Sequence, residues 1–183
     1  MIFYRCFPFD AGTAAHEAGG ALFVPPSQGL WRIDNADLYD VLYLSERPEG
    51  AIAETFGRYS IWRAATFTNA AGQAYALARY ALRGDASVVD LDDAGELVRL
   101  RLKPSDVVSR DRTKTQLWAR EIYLENRGIG VGWWSYYEPD IHTFGLWDVS
   151  AIALDGKPVV LGIDHPDVRA TAERISRPLI SEK

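Results

Sequence analysis

The chain has 183 residues, with 20 Lys and Arg against 25 Asp and Glu, so its formal net charge is −5. That length makes one domain, which buries about 70% of the surface its unfolded form exposes without needing metal or disulfide staples. An apolar fraction of 48% and a charged fraction of 25% exclude a disordered or low-complexity chain, and the acidic balance argues against the basic face that non-specific nucleic-acid binding requires.

Six Trp, nine Tyr and seven Phe make up 12% of the residues, several of them clustered. Such a surplus points to a stacking pocket beside a core, and it suggests a homodimer. The single cysteine, Cys6, forms no internal disulfide and no thiolate metal cage, which predicts a reducing, cytoplasmic setting. Met1 to Cys6 lacks the basic and apolar regions of a signal peptide. No apolar run approaches the ~18 residues of a membrane span. With no internal repeat and no Pro/Gly/Ser linker, residues 1 to 183 read as one domain.

In chain order, the β-prone run from Ile2 to Phe9 predicts a strand. Asp10 to Asn35, with Gly19-Gly20, Pro25-Pro26 and Gly29, reads as a long irregular segment; Leu22, Phe23, Val24 and Trp31 within it favour an ordered, functional one. Asp40 to Leu44 is a short buried strand, after which Ser45 reads as the N-cap of a helix running from Pro48 to about Tyr59. Tyr75 to Leu82 alternates and fits a strand or a helix, with the strand favoured; Val88 to Leu91 is a further strand, followed by a short helix around Asp93 to Leu100. The helical spacing of Leu117, Trp118, Glu121, Ile122 and Glu125 predicts a helix over Thr113 to Asn126, closed by Arg127 and Gly128. Extended pieces are expected at Ile129 to Ser135, Phe144 to Trp147, Val149 to Leu154 and Val159 to Gly162, before a last helix from Asp167 to Ser176. The order is mixed, without βαβα alternation and without GxGxxG after the first strand, so a Rossmann fold is not expected.

HExxH, the P-loop, GxSxG and the EF-hand loop are all missing, and His16, His142 and His165 share no metal-ligand spacing, so no metal site is expected. What stands out is a set of polar residues in apolar or glycine-rich surroundings: Arg32, Tyr43 and Glu54, at intervals of eleven. A strand that feeds directly into its helix brings Tyr43 and Glu54 within packing distance, with Arg32 on the loop before them. Each also has a plainer reading, as a loop arginine tied to Asp34 or Asp37, a core tyrosine and a solvated helix glutamate. Ile52, Ala53 and Phe56 surround Glu54 with apolar side chains, and a carboxylate near a buried face needs a partner. A second cluster is Gly130-Val-Gly-Trp-Trp-Ser-Tyr-Tyr137, where alternation puts Trp133, Ser135 and Tyr137 on one face and Trp134 and Tyr136 on the other. Rings beside one hydroxyl can cradle a flat heterocycle. A carboxylate-pair glycosidase would need a second acid, for which Glu138 and Asp140 are candidates by composition, and a nucleotide-binding module that cleaves nothing would use the same cleft.

Tyr4-Arg5, Gly29-Leu-Trp-Arg32, Leu42-Tyr43-Leu-Ser, Ala51-Ile-Ala-Glu54 and Gly128-Ile-Gly-Val-Gly-Trp-Trp-Ser135 together resemble the RES domain family, over a span from Tyr4 to about Trp147. Leu30-Trp31-Arg32 stands where the family usually has Gly-Gly-Arg, and Trp134-Ser135 where it has Pro-Ser. The resemblance implies an α+β fold with a mixed or antiparallel sheet, similar to ADP-ribosyltransferases, acting on NAD+ as substrate and needing no further cofactor. It implies a toxin that breaks the nicotinamide–ribose bond with water or phosphate as acceptor, or transfers ADP-ribose to a protein, and whose partner is an Xre-like antitoxin. By the same resemblance Arg32, Tyr43, Glu54 and Ser135 are the active-site residues, with Arg32, Tyr43, Trp134 and Ser135 meeting the dinucleotide. Arg32 would then hold the diphosphate as a bidentate donor, and Glu54 would face the cationic ribose.

Overall fold

The computed structural model describes residues 1–26 and 29–180. Alternation of large apolar residues makes the first strand, β1 (Ile2–Pro8), two-faced, with Phe3 and Phe7 buried on one side and Tyr4 and Cys6 packed on the other. Its antiparallel partner β3 (Tyr75–Leu82) matches this pattern across a register running from Ile2 opposite Ala81 to Pro8 opposite Tyr75. Between them in sequence lies β2 (Leu42–Ser45), which pairs with β1 on one side and with β6 (His142–Leu146) on the other. Beyond β6 come β5 (Gly130–Trp134) and, parallel to it, β4 (Val89–Asp90). On the far edge, β7 (Ile152–Leu154) and β8 (Val159–Val160) each pair with β3, which completes the sheet order β4-β5-β6-β2-β1-β3-β7. The fold is α+β with a mixed sheet, as expected.

Helices cover the sheet where its faces are apolar. Pro48 opens α1 (Pro48–Phe56) at a position where the missing N–H is no loss, and Ala51, Ile52 and Phe56 bury themselves against α5 (Pro166–Arg174) and the Tyr4/Cys6 face of β1. Asp111 caps α4 (Arg112–Leu124) by accepting the Thr113 N–H at 3.1 Å, and Thr115, Trp118, Ala119 and Ile122 form its buried stripe against the β4–β5 end. Two shorter helices, α2 (Ala94–Leu100) and α3 (Pro104–Val107), precede it.

The irregular segment after β1 is ordered through long-range bonds: the Arg5 guanidinium donates to the carbonyls of Ala21 and Phe23, and the Tyr80 hydroxyl donates to Ala21 O at 2.5 Å. Several expectations need correction. Ser45 is the last residue of β2, not a helix cap, since its hydroxyl donates to His142 O and the N-cap position belongs to Arg47. α1 stops at Phe56 and α4 at Leu124, where Asn126 takes a positive φ of 52°. α3 and a 3-10 turn at Ala64–Phe67 were not legible, both being too short to show periodicity.

Candidate active site

A cavity of about 600 Å³ opens over the Tyr4/Cys6 side of the sheet between α1, the segment before α4 and the β5–β6 connection. Arg32, Tyr43 and Glu54 all line it, so the loop, the strand and the helix that follows it do bring the three to one cleft. Among the described residues its wall carries five arginines, Arg5, Arg32, Arg58, Arg110 and Arg112, and a single carboxylate, Glu54. In a chain with a net charge of −5, this is a local inversion of sign. Aromatic rings complete the lining, among them Trp31, Tyr75, Trp133, Tyr136 and Tyr137.

Glu54 is exposed to the cleft rather than set among Ile52, Ala53 and Phe56, which point to the other side of α1. It nevertheless has the partner that the sequence required. Its Oε1 accepts the Ser135 hydroxyl at 2.6 Å and the Tyr136 backbone N–H at 3.1 Å, while Oε2 makes no hydrogen bond to a described residue. Two donors on one oxygen fix the carboxylate's orientation and leave the other oxygen for chemistry. Ser135 itself is fully buried, and its Oγ also accepts the N–H groups of Tyr137 and Glu138 at 3.1 and 3.4 Å. The hydroxyl has one proton, committed to Glu54, so Ser135 orients the carboxylate; Ser135 itself is not among the residues lining the cavity.

Tyr43 plays a similar supporting part. Its hydroxyl donates to Asp34 Oδ1 at 2.8 Å and accepts the Ile33 N–H at 3.2 Å, while Asp34 Oδ2 takes the N–H groups of Leu30 and Trp31, both at 3.0 Å. Tyr43 and the buried Asp34 thus shape the loop that carries Arg32. Burial, reinforced by the Asp34 charge, pushes the Tyr43 phenol well above its ordinary value, so it stays neutral. The close approach of this loop to the sheet needs Gly145, where a Cβ would lie 2.2 Å from Ile33 Cδ1.

Arg32 reaches across the cleft. Its Nη1 donates to Val107 O at 2.6 Å and Ser109 O at 3.1 Å, and its guanidinium lies 6.0 Å from the Trp133 ring. Burial, followed by the neighbouring Arg112 charge, lowers its pKa from the usual arginine value. Arg110 donates to the Tyr136 hydroxyl at 2.7 Å and joins the two walls of the cavity. Trp134 does not line the cavity; β5 ends at that residue, and its neighbour Trp133 supplies the ring instead.

Other candidates lie elsewhere. Glu138 and Asp140 are ion-paired with Arg174, at 2.6 and 2.5 Å, outside the cavity lining. His142 sits between Asp92 and Glu46, and His165 caps α5 by accepting the Asp167 N–H. Cys6 does line the cavity, but burial pushes its thiol far up and leaves no nucleophilic thiolate. Among the described residues, no group of three or more His, Cys, Asp or Glu side chains is placed to hold a metal ion, and no helix is long and apolar enough to cross a membrane.

Arg110, Arg112 and Arg58 were missed in the sequence because nothing in their local pattern distinguishes them from surface arginines. The contact of Arg32 with the carbonyls of Val107 and Ser109, about 75 positions away, brings in Arg110 and Arg112, while Arg58 reaches the cavity from just past the end of α1.

No curated protein matches the chain in sequence. Among solved structures, a chain of the M. tuberculosis MbcT–MbcA toxin–antitoxin complex superposes with a TM-score of 0.59 at 15% identity, covering 96% of this chain and 88% of that one. The likeness at that identity is one of fold. The RES domain profile matches residues 3–171, a stretch that holds every residue lining the cleft, and the chain is therefore a member of the RES domain family.

Proposed function

We propose that the protein cleaves NAD+ at the nicotinamide–ribose bond, with water or phosphate as acceptor, and serves as the toxin of a toxin–antitoxin pair. The observation that carries this reading is the cleft itself: five arginines for an anionic dinucleotide, and one carboxylate held by Ser135 and the Tyr136 N–H. The shared fold with a toxin–antitoxin protein supports the biological role and an antitoxin as partner.

The chemistry follows from what the residues can do. When the C1′–N1 bond breaks, its electron pair neutralises the pyridinium nitrogen, so nicotinamide leaves without a general acid, and no histidine lines the cavity. The positive charge passes to the ribose as an oxocarbenium ion, which a fixed carboxylate stabilises best where it is already oriented. Glu54 supplies that charge. Arg32 has Nε and Nη2 free of hydrogen bonds to described residues and holds the diphosphate. Water then adds to C1′ and releases a proton, or a phosphate oxygen adds in its place.

The test is nicotinamide release by the purified protein with and without phosphate, beside Glu54→Gln. Loss of one electrostatic stabiliser predicts a fall of about 100- to 1,000-fold or more in the variant. Equal release by both proteins would overturn the role of Glu54, and no release by the wild type would leave a binding module or a protein acceptor.

A further inference from the structure

Arg112 is the unexplained charge in the cavity wall. It stands on the first turn of α4 and lines the cleft, yet its Nη1 is buried and has no hydrogen-bond partner among the described residues. Among the described residues Arg112 makes no ion pair within 4 Å, and Glu54, the single carboxylate lining the cavity, has its Oε1 already engaged by Ser135 and Tyr136. The Arg112 charge is close enough to Arg32 to disfavour the latter's protonated form. Two guanidiniums that line one cavity, one of them with an unpartnered buried N–H group, face a single carboxylate among the described residues and leave room for a further anion.

The segment joining α3 to α4 explains how they come together. Arg32 Nη1 is clamped to the carbonyls of Val107 and Ser109, so the loop that bears Arg32 and the segment that bears Arg110 and Arg112 are one unit. Arg110 is braced in turn, donating to the Tyr136 hydroxyl with its guanidinium 5.4 Å from that ring. Arg32 and Arg110 are thus fixed by backbone carbonyls and a phenol, neither of which neutralises them.

From this juxtaposition we infer that Arg112, with Arg32, forms a phosphoryl-binding subsite in the cleft, so that Arg112 decides which phosphorylated ligands the protein takes. The inference rests on the reading of the cleft as an NAD+ site but names a residue and a ligand chemistry of its own. The phosphoryl group has two possible sources, the dinucleotide's diphosphate or a free phosphate that acts as acceptor.

The test is calorimetric titration of the full chain with inorganic pyrophosphate and inorganic phosphate, comparing wild type with Arg112→Gln and with Arg120→Gln, whose charge lies on the same helix but pairs with Asp37 at 2.7 Å. The expected result is at least a tenfold rise in Kd for the Arg112 variant and none for the Arg120 variant. Arg112→Met, which retains the apolar stem, takes its place should the Gln variant not fold. If ADP-ribose displaces the bound anion and Arg112→Gln raises KM for NAD+ without phosphate, the subsite takes the diphosphate. If phosphate binds beside ADP-ribose and the variant loses only phosphate-stimulated nicotinamide release, it takes the acceptor. Wild type that binds neither anion, or an Arg112 variant that binds both equally well, overturns the subsite. Anion binding that depends on Arg112 in a protein releasing no nicotinamide would instead sustain the subsite and sink the NAD+ reading.

Discussion

Replacing Ser135 by Ala separates two roles that the same residue could have. The hydroxyl donates to Glu54 Oε1 at 2.6 Å and accepts two backbone N–H groups, all at a fully buried position. A hydrogen bond to a charged group contributes about 1.5 to 3 kcal/mol. Glu54 retains the Tyr136 N–H, so its carboxylate is loosened rather than released. Taking about 2 kcal/mol for the loss, and setting all of it against the transition state, kcat falls roughly 30-fold. KM for NAD+ stays within about twofold, because Ser135 is buried and does not line the cavity. Thermal unfolding also moves down, by about 4 to 8 °C if the same 2 kcal/mol is lost from a domain of this size. The assay is steady-state nicotinamide release over a range of NAD+ concentrations, with the melting curve as control. A raised KM at unchanged kcat would refute the reasoning and return Ser135 to direct contact with the dinucleotide.

Other perturbations probe the supports of the site. Tyr43→Phe removes the donor to the buried Asp34 and should destabilise the fold by about 1.5 to 3 kcal/mol in urea unfolding; an unchanged midpoint would detach Asp34 from the Arg32 loop. Gly145→Ala places a methyl 2.2 Å from Ile33 Cδ1, and such overpacking costs about 1 to 3 kcal/mol, with weaker NAD+ binding because Ile33 adjoins Arg32. The imidazole of His142 is disfavoured as a cation by burial, but the Asp92 carboxylate on Nε2 and the charges of Glu46 and Asp90 outweigh this and raise its pKa above 6.5. A raised folded-state pKa means that its stabilising contribution is complete below the unfolded value and is lost as pH rises through the folded one. His142→Gln should therefore flatten the fall in melting temperature above pH 6.5, and an identical pH profile would contradict the assignment.

The parts of this molecule that follow a period were readable in advance. β1 and β3 show alternation, and α4 shows Thr115, Trp118, Ala119 and Ile122 on one stripe. Arg32, Tyr43 and Glu54 were found through their spacing and family resemblance, yet their partners were not. Asp34 meets Tyr43 through the irregular loop before β2, which has no period, and Ser135 as the hand on Glu54 depends on the turn taken after β5 ends at Trp134, where strand alternation stops applying. The Ser45 cap failed for a comparable reason: its hydroxyl found the His142 carbonyl on a neighbouring strand, a partner 97 positions away that no local pattern encodes.

That dependence on distant partners has a consequence for how the protein is made. β2 finds its inner neighbour β6 only after about a hundred further residues have been synthesised, and Glu54 waits as long for Ser135. Contacts of such separation form late, because the intervening loop must close before they are rewarded. A nascent chain that already displays Arg32, Tyr43 and Glu54 therefore lacks the bond that orients the Glu54 carboxylate until β5 and the turn after it have been made.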